Sequence, residues 1–251
     1  MLIVTADDYG KTRHATDSIL KCFSNKRITS ASAMVFMEDS ERAASLASKT
    51  NLEIGLHVNF TLAYSAPNIS PELGSHQERV LPYLTRSNYT EVFYNPFLAN
   101  SFHVLFISQL EEYERLYGRK PDFYNGHHHA HLCANVLAGR MIPKGARVRR
   151  SFTFEPGERN WFNRLYRRYL NGIVARRFIS TDRFYSIIPV RNQERLREIL
   201  TFAVKETVEI EVHPENIVET EFLMSDEYRH LMDGVHMGSF QQLHSSQVIN
   251  S

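Results

Sequence analysis

The chain has 251 residues, 43% of them hydrophobic and 23% charged, which is enough to bury a full core and is ordinary for one large domain. Its 29 basic and 28 acidic residues nearly cancel, so no global field draws it to nucleic acid or to an anionic membrane. Two cysteines, Cys22 and Cys133, are too few for a disulfide framework and sit in apolar contexts, which suits a reducing compartment. The opening Leu2-Ile3-Val4 meets Asp7-Asp8 almost at once, unlike a signal peptide, and no run reaches the length of a membrane span. The expectation is a soluble, cytoplasmic protein.

In chain order, short β-branched runs alternate with amphipathic segments. Residues 2–6 read as a strand; Ala15, Ile19, Cys22 and Phe23 recur at helical spacing; 29–36 read as a strand, 40–48 as a helix and 52–58 as a third strand. Residues 62–100, rich in Pro, Ser, Asn and aromatics, break the regularity and read as an insertion over the mouth of the fold. Phe106, Leu110, Tyr113 and Tyr117 mark one helical face that stops at Gly118 and Pro121, and 122–125 read as the next strand. Phe162, Leu165, Tyr166, Tyr169 and Leu170 predict a buried helix face with arginines on its wet side, which argues against nucleic-acid binding despite the Arg-rich stretch 159–183. Leu196, Ile199, Leu200 and Ala203 predict a helix, and Val208, Ile210 and Val212 a strand that ends at His213-Pro214.

Repeated strand-then-helix units imply a parallel sheet in an α/β fold. Polar residues gathered where strands end are the arrangement of a (β/α) barrel site, so the expected fold is a distorted, TIM-barrel-like (β/α) barrel with room for fewer than eight units. The whole of 1–251 reads as one domain carrying a cap at 62–100.

The polar chemistry falls at three such ends: Asp7-Asp8, His57, and His127-His128-His129-Ala130-His131. The histidine run is no expression tag, being mid-chain, interrupted by Ala130 and flanked by Tyr124 and Leu132. Imidazole and carboxylate ligate borderline and hard divalent metals, and three protein ligands leave a position for water or substrate. In an extended backbone His127, His129 and His131 share one side, and His128 taken alone reads as an ordinary side chain. Asp7 and Asp8 serve one site only where the strand gives way to a turn, which Tyr9-Gly10 supplies. Arg147, Arg149 and Arg150 follow an expected strand end, where they would hold sugar hydroxyls or keep Asp7 ionised; a solvated face is an equal reading.

Thr5-Ala6-Asp7-Asp8-Tyr9-Gly10, Arg27-Ile28-Thr29-Ser30-Ala31-Ser32, Gly55-Leu56-His57, Gly118-Arg119-Lys120-Pro121, the histidine run and Val212-His213-Pro214 occur in the order seen in YdjC-type carbohydrate deacetylases, and the sequence resembles that family across most of 1–230. The resemblance implies a divalent metal, magnesium or zinc, held by Asp8, His57 and His127. It also implies Asp7 as general base, His213 as general acid, and removal of an N-acetyl group from an acetylated amino sugar. Asn125 stands where the family often has Asp, keeping hydrogen bonding to a ligand histidine or a substrate hydroxyl but losing charge. Alternatives are a barrel phosphoesterase using the same ligands and a non-catalytic sugar-binding relative; the latter has no use for an uncoordinated Asp7 beside Asp8. The expected partner is the amino sugar, with neither nucleic acid nor membrane, and a homodimer is compatible with the sequence.

Overall fold

The computed structural model describes residues 1–87, 89–154, 157–158, 160–188 and 192–243. Strand and helix alternate from the start: β1 (Leu2–Tyr9), α1 (Arg13–Ser24), β2 (Ser30–Ala33), α2 (Ser40–Ala47) and β3 (Glu53–Val58). There follow α3 (Pro71–Thr85), α4 (Ala99–Tyr117), β4 (Tyr124–Gly126), α5 (Ala134–Ala138) and α6 (Trp161–Arg177). The chain continues with β5 (Arg183–Ser186), α7 (Gln193–Ala203), β6 (Val208–Val212), α8 (Ile217–Met224) and α9 (Asp226–Met232). The strands hydrogen-bond in the order β4-β3-β2-β1-β6-β5, with β6 parallel to β1 and β5, and β4 parallel to β3. This is the expected parallel (β/α) fold, with six strands among the described residues in place of the eight of a full barrel.

The described chain divides into two compact units. One comprises Met1–Asp7, Asp17–Ala31 and Lys144–Ser251, the other Asp8–Thr16 and Ser32–Pro143. In the first, every residue of β6 is buried, as is the part of β1 that pairs with it, Leu2 to Ala6 against Val208 to Val212. Strands covered on both faces read as near-continuous apolar runs, and Leu2-Ile3-Val4 is such a run. In the second unit, Leu56 and Val58 of β3 are buried with Phe60, Phe102, Phe106 and Phe123. Phe60 meets Phe102 edge-on with centroids 5.1 Å apart, a favoured aromatic geometry. Helix α4 stops where expected: Gly118 takes φ +65° and its N–H bonds the Glu114 carbonyl, a left-handed cap that glycine adopts without a Cβ clash.

Several expectations are corrected. The segment 62–100 is not irregular: it contains α3, begun by Ser70, whose hydroxyl accepts from the Leu73 N–H, and by Pro71 at the first helical position. Arg147, Arg149 and Arg150 do not follow a strand end: residues 139–146 hold no strand, and Arg147 makes only an isolated bridge to Ile179. Helix α6 buries Leu170 and Val174, whereas Phe162, Leu165 and Tyr169 are 64%, 55% and 66% exposed. Helical spacing defines a stripe, but only the partner surface decides which stripe is covered.

Gly55 of β3 faces the Phe123 ring so closely that a Cβ at 55 would lie 2.6 Å from two of its carbons. Gly55→Ala is therefore expected to cost about 1–3 kcal/mol by overpacking and to lower Tm by ~3–10 °C. Calorimetry checks this, and an unchanged Tm would place the ring elsewhere.

Candidate active site

Asp8 is a buried residue with φ +68°, a kink inside β1 just ahead of the turn expected at Tyr9-Gly10, where Gly10 takes φ +85°. A left-handed backbone at a residue other than glycine costs on the order of 1–2 kcal/mol, and Asp is among the residues that adopt it. Its Oδ2 accepts from Lys11 Nζ at 3.1 Å, and its Oδ1 lies 3.3 Å from His57 Nε2 without accepting a hydrogen bond of good geometry. Burial works to raise the Asp8 carboxyl, but His57, Lys11 and His127 outweigh it and hold it well below the usual carboxylate range.

The His57 ring is fixed from behind. Its Nδ1 lies 2.8 Å from Asn125 Oδ1 and 3.1 Å from Ser32 Oγ, while Asn125 Nδ2 donates to Ser32 Oγ at 3.0 Å. With the amide nitrogen of Asn125 committed to Ser32, its oxygen faces the ring, so Nδ1 carries the proton and Nε2 keeps its lone pair toward Asp8. Asn125 and Ser32 have no exposed surface, and Asn125 turns its amide oxygen to the histidine. Ser32 escaped the sequence reading because a serine among the small residues of β2 carries no pattern of its own.

His127 stands with its Nδ1 2.8 Å from Thr61 Oγ1 and its ring centroid 6.0 Å from that of His57. Burial, followed by the neighbouring His57, pushes its pKa down to about 3, so it is a neutral imidazole with a lone pair to offer. The histidine run is not extended: it forms a 3₁₀ segment over His127–Leu132 in which His128 and His129 take φ +51° and +59°. The alternation expected for His127, His129 and His131 therefore fails. His128 stacks on His127 at 4.0 Å and is exposed, whereas His131 is fully buried. Gly126 permits this coil, since a Cβ there would meet the His131 backbone nitrogen at 2.9 Å. Beside it, Thr61, Leu84, Thr85, Glu91, His128 and Ala130 line a recess of about 390 Å³, three of them from the inserted segment.

Among the described residues, no three His, Cys, Asp or Glu side chains are grouped so that together they could hold a metal ion. The Asp8–His57 pair nevertheless fits a cation. Two ligands on one tetrahedral ion at about 2.1 Å lie about 3.4 Å apart, close to the 3.3 Å separating these two acceptors.

The first unit holds a second cluster. Arg149, with no exposed surface, donates to both oxygens of Asp7 at 2.5 and 2.9 Å, to Glu209 at 2.7 Å and to Glu211 at 3.2 Å. Of the two roles open to Arg149 from sequence, this geometry matches the one directed at Asp7. Arg147 is half-buried and donates to the Gln241 carbonyl at 3.3 Å. His213 gives its backbone N–H to Glu219 at 2.6 Å, and its Nδ1 lies 3.9 Å from the other oxygen of that carboxylate. Glu209 and Glu211 were missed by sequence reasoning, although two charges alternating with Val208, Ile210 and Val212 in a short β-branched run are the available signal.

Three carboxylates around one guanidinium cannot all ionise cheaply. Burial pushes Glu209 and Glu211 above the usual carboxylate range, only partly offset by Arg149. Carboxyls raised in the folded state add stability while protonated, near or below their ordinary value of 4.5, and lose that contribution as pH climbs through their folded values. Glu211→Gln, which cannot ionise, should lose less Tm than the parent between about pH 5 and about pH 8. Parallel Tm profiles for the two proteins would overturn this account.

The chain belongs to the YdjC-like protein family, which it matches over residues 1–234. It is 31% identical over 144 residues to a chitooligosaccharide deacetylase of Proteus mirabilis, covering 55% of this chain and 52% of that one. It is 30% identical over 127 residues to carbohydrate deacetylase 2 of Listeria innocua (50% and 49%), and 29% identical over 165 residues to a carbohydrate deacetylase of Mus musculus (63% and 51%). These matches span about half the length of the relatives. A solved structure from Enterococcus faecalis, of a protein named for cellobiose-phosphate cleavage, shares the fold at TM-score 0.67 and 20% identity, over 96% of this chain and 97% of that one.

Proposed function

We propose that this protein is a divalent-metal-dependent carbohydrate deacetylase that hydrolyses the N-acetyl group of an acetylated amino sugar. The observation that carries the reading is the buried pair of acceptors, Asp8 Oδ1 and His57 Nε2, 3.3 Å apart, with the other ring nitrogen held by Asn125. Names of the family relatives supply the substrate class.

Asp8, His57 and His127 hold the metal, magnesium or zinc, in this reading. Both histidines are suited to ligation, because Asn125 aims the His57 lone pair and burial keeps His127 neutral. A divalent ion there supplies polarisation of the amide carbonyl and a lowered pKa for coordinated water. Asp7 is the preceding residue in the chain, so its Cα lies about 3.8 Å from that of Asp8. Arg149 grips Asp7 through two hydrogen bonds and fixes its plane, yet a carboxylate has about four lone-pair sites, so it retains capacity to accept a proton from the attacking water. The water oxygen bonds the acetyl carbon and its proton passes to Asp7. As the C–N bond breaks, His213 gives a proton to the departing amine, leaving acetate and the free amino sugar. Glu219 anchors the backbone of His213. The recess lined by Thr61, Glu91 and His128 offers hydroxyl, carboxylate and imidazole groups to a sugar.

Acetate release from a panel of N-acetylated sugars, with and without chelator, tests the reaction; it should stop on chelation and return with metal. Asp8→Ala and His57→Ala should lose most bound metal by elemental analysis, and full occupancy in both would remove them as ligands. Asp7→Asn should retain metal while turnover falls ~10²- to 10⁴-fold, the usual share of general-base catalysis. An Asp7→Asn protein that turns over at the parental rate rules out Asp7 as base.

A further inference from the structure

In the first unit, helix α6 and the segment 150–154 border an open recess of about 830 Å³ that contains none of the groups assigned as ligand, base or acid. Its walls carry five guanidinium groups, from Arg150, Arg164, Arg167, Arg168 and Arg183, against the carboxylates of Asp182 and Glu206. Both carboxylates are already engaged. Asp182 accepts from the backbone N–H and hydroxyl of Thr207 at 2.8 and 2.7 Å, and Glu206 pairs with Arg183.

Three of the five cations have protein partners. Arg183 takes Glu206; Arg167 donates to Ser151 at 2.9 Å and lies over the rings of Phe152 and Phe154 at 5.5 and 5.4 Å; Arg150 donates to the Thr181 and Asp182 carbonyls. Arg150 nonetheless leaves its buried Nε without a partner. The guanidinium groups of Arg164 and Arg168 have no hydrogen-bond or ion-pair partner among the described residues, and four residues apart on one helix they repel each other. Aromatic surface completes the recess: Phe152, Phe154 and Trp161, the last 70% exposed.

We propose that this recess is a binding site for an organic phosphate: the phosphate on Arg164 and Arg168, and a ring-bearing body against the exposed Trp161. Guanidinium forks match phosphate oxygens in paired, charge-assisted hydrogen bonds, and an anion between Arg164 and Arg168 removes their mutual repulsion. Aromatic faces take either the CH face of a sugar or a planar base. The volume lies in the range of small-molecule sites and far exceeds that of inorganic phosphate, so the body contributes to the fit. A recess bordered mainly by one helix and one short segment, on a chain of net charge +1, favours a small molecule over a nucleic-acid strand, which needs an extended basic track.

Trp161 is the single tryptophan of the chain, so its fluorescence reports on this recess directly. The full-length protein is titrated with glucosamine 6-phosphate, a nucleoside monophosphate, inorganic phosphate and unphosphorylated N-acetylglucosamine. Saturable change with at least one organic phosphate, weakening as salt is raised, is the expected result, and whichever binds more tightly identifies the body. The Arg164→Gln/Arg168→Gln protein, altered only at two side chains of α6 that are not buried, should bind about tenfold or more weakly while deacetylating an unphosphorylated substrate at the parental rate. The proposal is overturned if no organic phosphate changes the fluorescence, if N-acetylglucosamine or inorganic phosphate binds as tightly, or if the double variant binds like the parent. Because the readout needs neither turnover nor metal, its failure is separate from failure of the deacetylase reading.

Discussion

A guanidinium with no exposed surface has to be surrounded by carboxylates, and Arg149 is that guanidinium. Asp7, Glu209 and Glu211 come from two paired strands, β1 and β6, and all three converge on it. Removing a charge from water costs several kcal/mol even after relaxation, and attraction repays it only where geometry is good. The arrangement thus fixes more than a local contact. It holds the end of β1 against β6 and sets the plane of the Asp7 carboxylate, while burial, and behind it the neighbouring acids, raises the pKa of Glu209 and Glu211. Such a cluster is a poor way to gain stability and a good way to impose one orientation.

The second unit solves a related problem with neutral groups. Ser32 and Asn125 determine which nitrogen of His57 carries the proton, and hence which one turns its lone pair toward Asp8. An aspartate at position 125 would make the same hydrogen bond with an added charge and raise the basicity of the histidine. Asparagine keeps the orientation without adding to the negative charge already present on Asp8. The left-handed backbone of Asp8, His128 and His129 shows where tertiary packing has overridden local preference.

Helix α6 is amphipathic in sequence yet covers only part of its apolar surface. Leu170 and Val174 pack inward, and the aromatic and arginine side chains of its first turns remain on the outside or line the recess. The Arg167 guanidinium set against Phe152 and Phe154 lets a cation share a wall with aromatics at little cost, because a guanidinium is weakly hydrated and stacks well.

The sequence alone determined the strand–helix alternation, the parallel α/β class, the cap at Gly118 and the strand-end placement of Asp7, Asp8, His57 and His213. Those features are written in local periodicity and in turn residues, which depend on near neighbours in the chain. It did not determine that Arg149 would be buried, that Asn125 would lie behind His57, that the histidine run would coil into a 3₁₀ segment, or which stripe of α6 would be covered. Each of these depends on a partner distant in sequence: Glu209 lies 60 residues from Arg149, and Asn125 lies 68 from His57. A hydrogen bond or a covered face is a property of two surfaces, and only the tertiary structure brings the second surface to the first.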